Sequence, residues 1–270
     1  MDILTHTLSG VAIATVSSAF VQTTPLRKAK ILAVGALGGF WPDIDAVSMW
    51  SKFDATFGQW FDLPYTGRQI YGMKLWYSHH AFFHSLPASL LFGFLLFMLI
   101  YLFWRIFSNK DKRLSFKVFS RRHIIYPVTF VLGYWMHLMG DLPTPSSVWG
   151  GIALFWPLDE YVGGRGDIWW WNNYDIFLLV VLCIVINLFV PVASGYLRSR
   201  KREFTVECFA LILSVIIVQC VLREHDYSYA GSTARYAEME ENSKKEQQRI
   251  LGKRLYRYME WFDRKMPFYF

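Results

Sequence analysis

Charge is scarce in this chain, and paired thiols are absent. Only 18% of its 270 residues are charged, against 54% hydrophobic and 19% aromatic, which is too apolar for an ordinary soluble domain of this length. Its three cysteines, Cys183, Cys208 and Cys220, lie inside apolar runs with no paired spacing, which argues against a disulfide framework or thiolate metal site and leaves them as small core residues. The N-terminus has neither the basic start nor the small-residue cleavage site of a signal peptide. It carries Asp2 and His6 instead, so it is expected to be retained. No internal repeat or low-complexity segment is evident. A net charge of +7 would suit a nucleic acid, but the basic residues cluster at the ends of apolar segments, where such residues set topology. Nucleic-acid binding is therefore not expected.

What the chain has in quantity is apolar sequence long enough to cross a bilayer, for which about 20 residues are needed. The clearest runs are Leu86 to Phe107, Ile124 to Met139, Tyr174 to Ala193 and Phe204 to Leu222. Two weaker runs precede them, Leu4 to Val21 and Ala29 to Trp41, the second so short that it only just spans or packs half-buried. The expected fold is all-α: a polytopic membrane helical bundle made of an N-terminal helical hairpin plus about four transmembrane helices, with extracytoplasmic loops and a helical C-terminal tail. Residues 1–222 read as the membrane-embedded domain and 223–270 as an extension.

Three connections are strongly basic: Arg27, Lys28 and Lys30; Arg105 through Arg122; and Arg198 through Arg202. The positive-inside rule assigns them to the cytoplasm. Alternation of the spans then puts the N-terminus, residues 42–85, residues 141–173 and the tail on the opposite side. His6, Asp43, Asp45, His79, His80, His84, His137 and Asp141 all fall on that one side, including five of the seven histidines. Chance placement would have scattered them.

Within this set, His137 and Asp141 are four apart, as are His80 and His84, a spacing that brings two side chains together on one helix face. Imidazole and carboxylate without thiolate suit divalent metal ions, zinc first, with manganese or iron as alternatives, and the set is large enough for two or more. Two ions a few ångströms apart can ionise a water and clamp both oxygens of a displacement. Of Asp43 and Asp45, one can bind while the other orients a histidine. Each element alone has a bland reading as a cap, turn or solvated helix face. Four of them on one side of a membrane, where ionisable groups are costly, indicate a metal site. His123 and His225 lie outside the pattern and read as surface residues.

With these residues assembled, the sequence resembles the YdjM-like family of bacterial inner-membrane proteins, described as metal-dependent hydrolases. The matching pieces are "THTLSG" (5–10), "PDID" (42–45), "HHAFFHSLPA" (79–88), "GYWMHLMGDLPTPSSVWG" (133–150) and "LFWPL" (154–158), in that order. The resemblance implies His6, Asp43, Asp45, His79, His84, His137 and Asp141 as metal ligands. In the third motif His80 stands where the family usually has Arg and Phe83 where it has Thr, so His80 is an additional ligand or a bystander; with Asp45 it is the candidate for a catalytic role. The ligand style is more distantly similar to zinc-dependent phospholipases C, which suggests phosphoester chemistry by analogy.

Around the site, the Pro-, Gly- and Trp-rich stretch 142–171 reads as headgroup-level structure, with Trp149, Trp156, Trp169, Trp170 and Trp171 as an interfacial belt first and a substrate lining second. Arg165, between glycines, is the candidate for binding substrate phosphate, with a structural ion pair as the alternative. Residues 53–76 read as a cover over the site. In the tail, Leu251, Leu255, Tyr258 and Phe262 make one helical stripe that packs on the cap or lies on the membrane.

The expected function is an inner-membrane, metal-dependent hydrolase with its site at the extracytoplasmic interface, acting on an ester of a lipid or lipid-linked substrate. The rival is a non-enzymatic scaffold or regulatory protein with a structural metal site. An ion transporter would need polar residues at mid-bilayer, and the span interiors are nearly free of charge.

Overall fold

Close backbone approach, made possible by glycine, organises the bundle. In the computed structural model, which describes residues 2–21, 24–107, 115–144, 149–164, 173–223 and 236–265, helix α1 (Ile3–Ala19) and helix α2 (Pro25–Phe40) form the expected hairpin. A Cβ added at Gly10 would lie 2.1 Å from the Gly35 carbonyl oxygen. Helix α6 (Ile125–Asp141) crosses the same spot, where a Cβ at Gly133 would lie 2.5 Å from that oxygen. Hydrocarbon offers helices little reason to associate through apolar burial, so tight backbone contact between small residues supplies the packing.

Around this centre run α4 (Leu86–Phe107), α7 (Tyr174–Ala193) and α9 (Lys201–Leu222), with short α3 (Gly67–Gly72), α5 (Phe116–His123) and α8 (Gly195–Ser199) in the connections and α10 (Tyr236–Lys265) in the tail. Helix α1 packs against α2, α6, α7 and α9. Its buried hydroxyls donate within the helix, Ser9 to the Thr5 carbonyl and Ser18 to that of Thr15, each at 2.8 Å, so a polar sequence survives in an apolar setting. Asn187 of α7 donates to Thr15 at 2.9 Å. Conversely, α4 turns Leu90, Phe94, Phe103 and Ile106 outward, an apolar surface suited to lipid or to another chain.

The described residues are all-α, with a single isolated bridge between Ile152 and Val162. Among the described residues, four segments are long and apolar enough to cross a membrane: Pro25–Met49, Leu86–Phe107, Tyr174–Ala193 and Lys201–Leu222. The run from Ala29 looked too short because the chain does not stop at Trp41. It continues as a 3₁₀ segment, Trp41–Met49, through the very residues that bend it, Pro42 and the two aspartates.

The basic connections between α1 and α2, α4 and α6, and α7 and α9 all lie at one end. The starts of α1, α4 and α7 and the ends of α2, α6 and α9 lie at the other. At that second end Arg223, after α9, pairs with Asp175 at the start of α7, both buried. The tail's stripe does not pack on the cap: among the described side chains of α10, Ser243, Gln247 and Tyr256 are buried, whereas Leu255, Tyr258 and Phe262 face outward, as in a helix lying on a membrane surface. A reason lies in α7: its first N–H needs an acceptor, and Gln247 supplies one to Tyr174 at 2.9 Å. Gly252, at φ +74°, then shifts the phase of the helix.

Candidate metal centre

Local sequence puts each donor at a helix end. Asp2 caps α1, accepting from the Thr5 backbone at 2.8 Å, which starts the helix one turn before His6. Pro42 ends α2 and brings Asp43 and Asp45 into the 3₁₀ turn. The stretch from Ser78 to Ser85 is a compact knot. Ala81 and His84 close successive turns, Ser85 caps α4, and His80 adopts φ +65°. A bulky side chain in that left-handed region costs about 1–3 kcal/mol, and here the neighbouring chain holds it, with Ala153 donating to the His80 carbonyl at 2.8 Å. Gly39 joins the hairpin to the site. A Cβ there would lie 2.3 Å from the His6 carbonyl oxygen, and its own carbonyl accepts from His137 Nδ1 at 2.7 Å.

Four atoms from these ends face one another. His84 Nε2 and His137 Nε2 are 3.3 Å apart. Asp43 Oδ1 lies 3.6 Å from each of them, and Asp141 Oδ2 lies 3.6 Å from His84 and 3.0 Å from His137. An ion bound tetrahedrally at 2.0–2.1 Å holds its donors about 3.3 Å apart. Five of the six edges lie near that length, and His84, His137 and Asp141 are close enough together to share one ion. Asp141 also reaches a second imidazole: its Oδ1 is 3.0 Å from His6 Nε2, and the His6 and His137 rings stack at 3.7 Å. Among the described residues, donors close enough to share an ion form three overlapping groups: His84, His137 and Asp141; His6, Asp43 and His137; and His79, His80 and His84.

The far sides of the rings are also held. Asp45 accepts from His79 Nδ1 at 2.7 Å and from His84 Nδ1 at 3.1 Å, one on each oxygen. His80 Nδ1 donates to the Gly151 carbonyl at 3.1 Å. A carbonyl can only accept, so the lone pair of His80 is on Nε2. The same argument applies to His137. Burial and the nearby His79 and His84 push the His80 pKa well below its ordinary value, keeping the ring neutral. His84 goes the other way: burial alone would lower it, but Asp45, Asp43 and Asp141 outweigh that and raise it to about 10. Without a metal ion, this imidazole carries the proton that offsets part of a dense negative charge.

The structure therefore brings together His6, Asp43, Asp45, His79, His80, His84, His137 and Asp141. Arg165, Trp169, Trp170, Trp171 and His225 lie outside the described residues. His123 stacks on Phe119 in the basic connection, before the start of α6, whereas His137 and Asp141 lie at that helix's other end. Trp149 departs from the expected interfacial belt. It is buried, 4.5 Å from the His80 ring, and donates to the Tyr71 carbonyl at 2.9 Å. Tyr71 in turn stacks on His79 at 4.5 Å. Sequence reading missed Tyr71 and the acceptor carbonyls of Gly39 and Gly151, since a backbone acceptor has no residue-type signature. Its expectation that residues 53–76 cover the site gave the only hint of Tyr71.

A family model described as YdjM inner membrane protein matches residues 1–225. Neither the curated proteins nor the solved structures gave a match.

Proposed function

We propose that this chain, which belongs to the YdjM inner membrane protein family, is a multi-pass, metal-dependent hydrolase whose site faces the extracytoplasmic side and acts on an ester, a phosphoester first, of a lipid or lipid-linked substrate. The basic connections at the opposite end support the orientation. The depth of the cluster at the span ends supports a substrate whose scissile bond lies among headgroups.

The observation that carries the reading is a surplus of donors. His84, His137 and Asp141 suffice to share one ion, yet His6 lies with Asp43 and His137, and His79 and His80 lie with His84, in two further groups close enough to do the same. His6, 3.0 Å from Asp141, would help to hold a second divalent ion. When bound, the ions supply Lewis acidity and lower the pKa of water. The chain's own residues supply the rest. Asp45 fixes the His79 and His84 rings. Tyr71 and Trp149 exclude water from the outer side of His79 and His80. His80 Nε2 accepts the proton of the attacking water as its oxygen bonds to phosphorus and the P–O bond to the alcohol breaks, then returns that proton to the departing alkoxide. Arg165 is the candidate partner for the phosphate oxygens.

One observation favours the structural alternative: Asp43, His84, His137 and Asp141 alone would saturate a tetrahedral ion, and structural sites are closed in that way. Metal stoichiometry and activity separate the two. Detergent-purified protein assayed on bis(p-nitrophenyl) phosphate and a glycerophospholipid panel should contain two ions per chain and hydrolyse at least one class. His80→Gln should keep the metal and lose about 100-fold in rate, the scale of general acid–base catalysis. One tightly held ion with no hydrolysis of any ester would favour the scaffold.

A further inference from the structure

Beside the metal centre, between α1, α6, α7 and α9, lies an apolar cavity of about 220 Å³. For scale, an apolar cavity of about 150 Å³ accommodates benzene. Its inner wall includes Ser9 and Gly140. Ser9 is three residues after His6 and Gly140 immediately precedes Asp141, so the helices that carry the donors also form the cavity. Its outer wall is α9 from Phe209 to Val221, a rise of about 18 Å at 1.5 Å per residue. That is close to the depth of one leaflet, half of about 30 Å. Pro143, just past Asp141, marks the end nearest the donors.

The lining asks for nothing polar. The Ser9 hydroxyl is already committed to the Thr5 carbonyl, and most of the remaining wall is aliphatic or aromatic, with Val180, Ile212 and Ile216 among it. Met139, Ile217 and Val221 belong both to this lining and to the exposed apolar surface of the helices, so the cavity is continuous with the face that lipid covers.

We infer that this cavity holds the ester-proximal part of one hydrocarbon chain of a membrane lipid, the rest of the chain lying in the bilayer, with the lipid's ester region reaching the metal centre past Pro143. The place of the ester rests on the hydrolase reading; retention of the chain does not. A chain entering between α6 and α9 exchanges bilayer contacts for protein contacts at little cost. Its gain is position, because it fixes the depth and direction of the headgroup relative to His137 and Asp141.

The test uses the full-length protein in phosphatidylglycerol vesicles containing a trace of phosphatidylglycerol with a diazirine in one acyl chain. Photolysis should concentrate adducts on Met136 to Pro143 and Phe209 to Val221. Ile216→Trp, which fills the cavity, should reduce those adducts at least tenfold, while Phe189→Trp, on the exposed outer face of α7, should leave them unchanged. Adducts spread evenly over the outward faces of α4, α7 and α9, or insensitive to Ile216→Trp, would overturn the inference. The same result in Asp43→Asn protein separates the two readings, since groove labelling there does not depend on turnover. Hydrolysis equally fast for short-chain soluble and long-chain esters, without groove labelling, would reject the cavity and retain the hydrolase.

Discussion

Asp45 accepts from two imidazoles at once, so its replacement tests how the ligand rings are held rather than how many ligands there are. Asp45→Asn keeps the shape but loses the charge that orients His84. Outer partners of metal-bound histidines typically contribute 10- to 100-fold to affinity, and chelator competition on the purified variant should give a loss in that range with the metal still bindable. Affinity equal to that of the parent protein would remove Asp45 from this role. His84 makes a pH prediction. Its pKa in the metal-free fold is raised from 6.5 to about 10, so the proton's stabilising contribution is fully present below pH 6.5 and disappears as pH rises through about 10. Thermal unfolding of chelator-treated protein should show that decline in stability. Because metal and proton compete for the same ring, metal affinity should rise over the same window. At this scale the sequence was informative about side chains and silent about carbonyls: spacing and residue type indicated His6, His84, His137 and Asp141 as neighbours, but nothing in the letters marks Gly39 or Gly151 as acceptors.

At the scale of elements, the α1–α2–α6 crossing determines whether the donors meet. Gly35→Leu would force a side chain into the Gly10 carbonyl and the Ala14 side chain, both within 2.5 Å of where its Cβ must sit. Overpacking of this kind costs typically 1–3 kcal/mol. Here the relaxation also moves His6 relative to Asp43. The variant should insert in the membrane, unfold at lower denaturant, and bind less metal; full metal content would mean the crossing tolerates more separation than the contact allows. The helices legible from sequence were those bounded by lipid: the run Leu86 to Phe107 and the run Tyr174 to Ala193 coincide with α4 and α7, because hydrophobic length alone sets their ends. Elements stabilised by polar contacts were less legible. The α10 stripe of Leu255, Tyr258 and Phe262 faces outward and not onto the cap, while Gln247 of α10 turns inward to accept from the first N–H of α7. Trp149, by composition an interfacial residue, is instead buried against imidazole rings.

For the whole molecule, the separation of its two ends is what the sequence displayed best. Basic residues gather at one end and donors at the other because both patterns arise from the same alternation of spans, and both could be read by counting. The three-dimensional convergence of four helix ends could not be counted. It depends on glycine contacts whose consequence appears only when backbones touch. The proposed orientation gives a direct prediction in intact cells. Lys52→Cys, in the connection that follows Asp45, should react with a membrane-impermeant maleimide, and Lys117→Cys, in the basic connection, should react only after permeabilisation. The reverse pattern would put the cluster on the cytoplasmic side and remove the extracytoplasmic substrate from the proposal.

The claim beneath all of this is that Asp43, His84, His137 and Asp141 hold a divalent ion. X-ray absorption at the metal edge of the purified protein, with elemental content measured on the same sample, tests it most directly. The expected result is nitrogen and oxygen neighbours at about 2.0–2.1 Å, no sulfur shell, and loss of the signal in the Asp43→Ala, His137→Ala double variant. A parent protein free of divalent metal after purification without chelators, or a double variant with the same metal content and the same shell, would contradict it.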